Sequence, residues 1–142
     1  MKKTLKIIML ALISGIAISF FVYFKINGTF KIEENLITVF QVGVFKNKIN
    51  ALSEAKKYNG IVHNDKNYYR VYIAAYQNDE IINKMKKYYD NKGIVTYLKK
   101  IRTSEDYLNT INKYENLLQN SNDEEIYPNL NKLLINKLEE HL

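Results

Sequence analysis

Apolar and polar positions alternate with a changing period along the chain from residue 36 onward. Residues 36–45, LITVFQVGVF, are rich in β-branched and aromatic side chains and predict a strand. Residues 47–59 change to near-helical spacing, which predicts a helix that ends at Gly60. The apolar stripe of this helix consists of Ile49, Leu52, Ala55 and Tyr58.

A second half of the same kind follows. Residues 60–65 predict a short strand and residues 67–76 a longer one, with the polar turn NDKN between them. Residues 78–93 predict a helix, and residues 94–100, IVTYLKK, predict a closing strand. The order β-α-β-β-α-β predicts an α+β fold of the ferredoxin or RNP type. In this fold a four-stranded antiparallel sheet carries both helices on one face and leaves the other face open.

The second helix has clear end signals. Asn78 or Asp79 can cap its first turn, and Gly93 ends it. Its apolar stripe is Ile82, Met85 and Tyr89. The two halves also share a short repeat, because Lys56-Lys57-Tyr58 recurs as Lys86-Lys87-Tyr88.

The amino terminus has the pattern of a membrane anchor. Lysines in residues 1–6 precede an uncharged run of 18 residues, 7–24, which as a helix spans about 27 Å. The lysines predict a cytoplasmic N-terminus, with everything after Lys25, including the 25–35 linker, on the outer side of the cell membrane. A cleaved signal peptide is the alternative, although its apolar run is usually only about 7–15 residues long. Here the run ends in the bulky sequence FFVYFK, where cleavage would need small residues.

Residues 103–142 form an acidic tail that predicts two amphipathic helices. Thr103 or Ser104 can cap the first, and Pro128 fits the first turn of the second. The apolar positions are Tyr107, Ile111, Tyr114 and Leu118 in the first helix and Leu130, Leu133, Leu134 and Leu138 in the second. Because a small domain gains from extra burial, the default expectation is that the tail docks on residues 36–102. Docking on a partner protein is the alternative.

Composition and charge narrow the function. The chain has no cysteine, so disulfide and thiolate chemistry are excluded. Residues 36–102 hold 13 Lys and Arg against 5 Asp and Glu, a net +8, whereas residues 103–142 hold 3 against 8, a net −5. The basic part suits an anionic cell wall, nucleic acid or phospholipid headgroups. No catalytic motif or metal-ligand cluster is present, and His63 and His141 are isolated and expected to be solvated. We therefore expect neither enzymatic activity nor a cofactor.

The third predicted strand has an unusual polar face. Strand alternation places Tyr68, Arg70 and Tyr72 together, opposite a core face of Tyr69, Val71 and Ile73. Alternation in the first strand adds Gln41 and Gly43 to the open face, where a glycine lets a ligand approach the backbone. It assigns Val44 to the helix-covered side. Aromatic rings around a planar cation suit a glycan or a single-stranded nucleic acid. A plain structural role is the alternative, with tyrosines chosen for the strand and Arg70 as a surface ion-pair partner.

These residues resemble a known family. VFQVGVFKNKINALSEAKK resembles the opening of the SPOR (sporulation-related repeat) domain, with its aromatic-x-Val-Gln-Val-Gly-x-Phe pattern, and YYRVYIAAY resembles its third strand. The resemblance covers about residues 36–101. It implies a bacterial membrane-tethered protein that binds septal peptidoglycan through the open sheet face, on glycan strands stripped of stem peptides. When each binding position of the family is matched to this sequence, the corresponding residues are Gln41, Val44, Tyr68, Arg70 and Leu98. The candidate glycan-binding residues are therefore Gln41, Gly43, Tyr68, Arg70, Tyr72 and Leu98.

Three functions fit the sequence. The leading one is non-catalytic binding of peptidoglycan at division or sporulation septa by a membrane-anchored protein. The second is a septal interaction module that recruits a cell-wall, division or sporulation protein through the tail. The third is an RNA-binding sheet of the same topology, but the predicted export and the missing RNP1 motif argue against a nucleic-acid partner.

Overall fold

A computed structural model describes Ser19, Tyr23 and residues 35–121 and 123–142. The chain divides into two compact units, Met1–Glu34 and Asn35–Leu142. In the first unit only Ser19 and Tyr23 are described, both helical, so the predicted anchor and linker lie largely outside the described residues. Within the described part of the chain, no helix is both long and apolar enough to cross a membrane.

The second unit is an α+β fold with a four-stranded antiparallel sheet and four helices. The α+β class and the four-stranded antiparallel sheet are as predicted from the sequence. The strands run in the order β2-β3-β1-β4 across the sheet. In chain order the elements are β1 Leu36–Phe45, α1 Lys48–Lys57, β2 Ile61–Asp65, β3 Tyr68–Tyr76, α2 Asp79–Asn91, β4 Tyr97–Arg102, α3 Glu105–Asn120, a 3-10 turn Glu124–Ile126, and α4 Tyr127–Glu139.

Side-chain caps begin the helices where the sequence predicts them. The Asn78 side chain accepts a hydrogen bond from the Glu80 amide at the start of α2. The Ser104 hydroxyl accepts one from the Tyr107 amide at the start of α3. Pro128 lies in the first turn of α4, where its missing N–H leaves no helical bond unmade.

The start of β4 differs from the prediction. Gly93 has a φ of +70°, and the Ile94 amide donates to the Tyr89 carbonyl across it. This pattern closes the C-terminal end of α2 and ties Ile94 to the helix. The strand therefore begins at Tyr97, three residues later than the apolar run IVT indicates.

The core on the helix-covered side is built around aromatic rings. The Phe40 ring packs edge-on to Tyr76 at 6.1 Å and tilted to Tyr89 of α2 at 5.5 Å. The predicted α2 stripe is confirmed, since Ile82, Met85 and Tyr89 are all buried.

The predicted face of α1 is wrong in part. Ile49 and Leu52 are 74 % and 50 % exposed, whereas Ala51 and Ala55 are buried. The small side chains of Ala51 and Ala55 lie four residues apart, on one side of the helix, and allow its backbone to approach the sheet closely. Size at the contact, and not hydrophobicity, decides which side of this helix faces the core.

The acidic tail packs on the rest of the second unit, as expected from the sequence. The Tyr76 hydroxyl donates to the Asn131 side chain of α4, which in turn donates to the Tyr89 hydroxyl at 2.7 Å. One carboxylate oxygen of Glu115 in α3 accepts from the amides of Gln77 and Asn78, at 2.6 and 2.8 Å. Polar groups of both tail helices therefore complete hydrogen bonds of the sheet and α2.

Candidate functional site

A bulge in β1 sets which side chains face Arg70. Gln41 lies opposite Tyr72, Gly43 opposite Val71, and Val44 opposite Arg70, with register shifts on both sides of Gln41. Directly opposed residues of a sheet share a face. Gln41 and Val44 therefore lie on the Arg70 face, and Gly43 lies on the face of the buried Val71.

The alternation therefore predicts the wrong face of the sheet for both Gly43 and Val44. Strict alternation from Gln41 puts Gly43 on the open face, but the bulge reverses the alternation at that point. The space beside Gly43 is also filled, because a Cβ placed there would lie 2.5 Å from the Phe45 ring. The glycine makes room for a side chain of its own strand.

Arg70 is held in place by two neighbours. Its Nε donates to Asp65 Oδ2 at 2.7 Å, and its Nη1 donates to Gln41 Oε1 at 3.2 Å. Lys99 Nζ of β4 donates to the same Asp65 oxygen at 3.0 Å. We call these four residues, Gln41, Asp65, Arg70 and Lys99, the Asp65 cluster; it draws on all four strands. Arg70 is therefore an ion-pair partner, as the structural alternative in the sequence analysis predicts.

The two cations hold Asp65 in its charged form. Hydrogen bonds from Lys99 and then Arg70 lower the pKa of Asp65 to about 2. The three charged side chains remain between 24 % and 36 % exposed. Ion pairs at such exposure add little to stability, so this arrangement orients Arg70 more than it stabilises the fold.

Tyr72 does not lie exposed on this face as predicted. It is fully buried, and its ring stacks on His63 with 5.9 Å between centroids. Its hydroxyl makes no hydrogen bond of normal geometry within the described part of the chain, but it lies close enough to Lys99 to interact with that side chain. Burial raises the pKa of Tyr72, against the lowering effect of Lys99 and Arg70, so the hydroxyl lies near the cations.

His63 is also less solvated than expected. It lies opposite Arg70, is partly buried, and is covered on one side by the Tyr72 ring. Burial lowers the pKa of His63, which favours its neutral form. His63 therefore adds no positive charge to the face at neutral pH.

Exposed rings flank the Asp65 cluster. Tyr68 lies opposite Asp65 and is 41 % exposed, while Tyr97 lies opposite Gln41 and is 63 % exposed. Leu98 lies opposite Phe40 and so points to the helix-covered side, away from Arg70. The sequence prediction placed Leu98 on the open face and missed Tyr97. Matching the SPOR family's strand-four position to this sequence selected the residue one place too far along β4.

A cleft lies away from this face. It has a volume of about 650 Å³ and is lined by residues of α2 and the start of α4, including Lys84, Tyr88 and Tyr127. Lys84 is already engaged by the carbonyls of Leu118 and Ser121 at the end of α3. We therefore assign this lysine a structural role. Among the described residues, no group of His, Asp and Glu side chains is arranged to hold a metal ion.

The open face offers three kinds of contact in one place. Tyr68 and Tyr97 give exposed phenol rings, Val44 gives an exposed apolar side chain, and Arg70 gives a fixed planar donor. The bonds to Asp65 and Gln41 use two of the five N–H donors of Arg70, which leaves three. Flat rings beside fixed polar donors are suited to a ligand with many hydroxyls.

Compared with models of protein families, with curated proteins and with solved structures, this chain matches none of them.

Proposed function

We propose that residues 36–102 are a SPOR-like, non-catalytic module that binds peptidoglycan glycan strands at division or sporulation septa. The observation that carries the proposal is Arg70, fixed by Asp65 and Gln41 between the exposed rings of Tyr68 and Tyr97. Residues 7–24 would anchor the protein in the cell membrane, with the binding domain outside.

In this proposal the roles of the residues follow from their contacts. Tyr68 and Tyr97 stack on sugar rings, whose C–H faces are apolar. Arg70 donates its remaining hydrogen bonds to hydroxyl and acetamido oxygens of the bound sugar. Gln41 is a positioning residue, because its carbonyl oxygen holds the guanidinium. Tyr72 lies on the same face but is fully buried and makes no contact with the sugar, and Leu98 points away from it.

Substitution of Arg70 tests this proposal. Arg70→Ala should weaken binding to peptide-free glycan strands about tenfold or more, since hydrogen bonds from a charged group contribute about 1.5–3 kcal/mol. Lys87→Ala is the matched control, because Lys87 is an exposed cation on α2. Binding is measured by pull-down on purified cell-wall sacculi, with and without amidase treatment. Equal losses in both variants, abolished by modest salt, would indicate general basic adhesion and contradict the proposal.

The second candidate function is recruitment of a septal protein by the tail. Its support is two exposed leucines, Leu117 on α3 and Leu133 on α4, which are 57 % and 54 % exposed. Deleting residues 103–142 would not separate the two functions, because α4 supplies Asn131 to the buried Tyr76 and Tyr89 hydroxyls. Surface substitutions are the better tool.

The double variant Leu117→Lys/Leu133→Lys should leave the fold and glycan binding unchanged, since both side chains are outside the core. If the tail recruits a partner, the variant still reaches the septum but fails to retain that partner. The readouts are septal fluorescence of a tagged protein and co-purification from crosslinked cells. Retention of every septal partner by the variant would rule out recruitment through these leucines.

A further inference from the structure

The outer side of α1 exposes apolar side chains that the sequence assigns to the core. Ile49 and Leu52 are 74 % and 50 % exposed, and Ile49 is the most exposed large apolar side chain among the described residues. The two lie three residues apart, so they are neighbours on the helix surface. Single exposed apolar residues are common on proteins, whereas two neighbours on a helix of 10 residues form a small apolar patch that the core leaves unused.

Lysines border this pair of apolar side chains. Lys48 and Lys56 are exposed and lie four residues to either side of Leu52, which puts them on the same side of α1. We call these four residues the α1 patch: Lys48, Ile49, Leu52 and Lys56. The one acidic residue of the helix, Glu54, is paired to Lys57 at 2.6 Å. The positive charges of Lys48 and Lys56 are therefore not balanced within the helix.

Apolar side chains bordered by lysines match the surface of a membrane that contains anionic lipid. A helix of this kind lies in the plane of the interface, with its apolar side chains among the acyl chains and its cations at the headgroups. A soluble polyanion would satisfy the lysines but leave Ile49 and Leu52 in water. Charge and apolar area together therefore favour lipid as the occupant.

The length of the chain before β1 keeps α1 within reach of such a surface. The predicted anchor ends at residue 24, and the 25–35 linker has 11 residues, which span at most about 40 Å when fully extended. A short tether gives a local concentration on the order of millimolar. Even the weak binding expected of two apolar side chains and two lysines would then be occupied.

We propose that the α1 patch docks on anionic phospholipid of the membrane in which the chain is anchored. Ile49 and Leu52 enter the boundary between headgroups and acyl chains, while Lys48 and Lys56 pair with lipid phosphates. Docking then sets the distance between the domain and the membrane surface. The α1 patch is separate from the Asp65 cluster, so this inference depends on the predicted anchor and not on glycan binding.

The test uses the full-length chain reconstituted into vesicles of phosphatidylcholine, alone or mixed with phosphatidylglycerol. Since the chain has no cysteine, Ser53→Cys accepts an environment-sensitive fluorophore at one place, beside an intact α1 patch. Asn136→Cys, at an exposed polar position of α4, is the matched label site. Lipids that carry a quencher near the headgroup report contact, and circular dichroism confirms that each labelled variant is folded.

With phosphatidylglycerol present, the Ser53→Cys label should be quenched and its emission should shift to the blue, whereas the Asn136→Cys label should do neither. Adding Lys48→Glu/Lys56→Glu should lower the docking equilibrium constant at least about tenfold, since each lysine near an anionic surface contributes roughly a factor of five. Ile49→Ser/Leu52→Ser should also weaken docking, because the apolar contact is lost.

Lys113→Glu/Lys132→Glu is the control for charge, because it makes the same change at two exposed positions of the tail and should leave docking unchanged. An equal loss in this control would indicate general attraction of a basic protein and overturn the inference. A Ser53→Cys label that stays in water in both kinds of vesicle would also overturn it. If the same chain still binds peptide-free glycan strands, only the docking inference fails; lipid contact without glycan binding would contradict only the proposed function.

Discussion

At the scale of single residues, the contacts of Asp65 determine the character of the open face. Its carboxylate orients Arg70 and Lys99, which come from different strands. Without it, two cations on adjacent parts of one face would repel each other and lose a common acceptor. Asp65 would therefore act on the proposed ligand site through the side chains that it holds.

The low pKa of Asp65, about 2, predicts a dependence of stability on pH. Because this value lies below that of the unfolded chain, Asp65 stabilises the fold above about pH 4 and loses this effect as the pH falls towards 2. Asp65→Asn should therefore be less stable than wild type at neutral pH, with a difference that shrinks over that acid range. Chemical denaturation at a series of pH values measures it.

The control is the same substitution in an Arg70→Ala/Lys99→Gln background. There the cations that lower the pKa are gone, so Asp65→Asn should show little pH dependence. A difference that persists unchanged in that background would mean that Asp65 acts through some other contact.

At the scale of elements, Glu115 joins α3 to the loop between β3 and α2. Its carboxylate is nearly buried and accepts hydrogen bonds from two backbone amides, those of Gln77 and Asn78. These amides belong to the strand end and to the cap residue of α2, so neither has a helical partner. The tail therefore completes the start of an element that precedes it in the chain.

Glu115→Ala should lower the free energy of unfolding by about 2–4 kcal/mol, because it leaves two backbone amides without an acceptor. Glu115→Gln keeps an acceptor oxygen and should cost much less. Burial raises the pKa of Glu115 in the folded protein, so wild type should gain stability relative to Glu115→Gln as the pH falls from 7 through the folded pKa towards that of the unfolded chain. Urea denaturation at several pH values measures both effects.

Glu139→Ala, on the exposed end of α4, is the matched control for the loss of an acidic side chain. It should change stability by less than about 0.5 kcal/mol. If Glu115→Ala were equally mild, the two hydrogen bonds would not contribute to docking of the tail.

At the scale of the whole molecule, the amino-terminal run predicts on which side of the cell membrane the proposed binding domain lies. The Lys-rich start and the 18-residue apolar run favour an anchor with its lysines in the cytoplasm. A glycan-binding face requires the domain to be on the opposite side of the membrane, so topology and function are linked.

A reporter that works only outside the cytoplasm should therefore be active when fused after Leu142. The same fusion lacking residues 1–24 should be inactive and is the control. Fractionation should recover the full-length chain with the membranes. Recovery of a soluble product that starts near residue 25 would show cleavage and contradict the uncleaved anchor.

Several features of the fold could be read from the sequence because they depend on neighbours in the chain. The bounds of β1 were predicted correctly, and each helix cap, Asn78 and Ser104, is one of the two candidates that the sequence offered. A cap is one hydrogen bond across two or three residues, and the strand signal is a local preference for β-branched and aromatic side chains. Such features depend only on residues that lie close together in the chain.

The site depended on contacts between distant segments, and only the tertiary structure decided it. The bulge at Gln41 reverses which of Gly43 and Val44 faces Arg70, and no local pattern in β1 signals it. Asp65 and Lys99 meet across strands whose register depends on pairing with β1 and β3. The sequence by itself determined the elements and the presence of an aromatic and basic strand, because local periodicity and charge specify these. Packing determined which rings are exposed, since burying Tyr72 and exposing Tyr97 depend on neighbours far away in the chain.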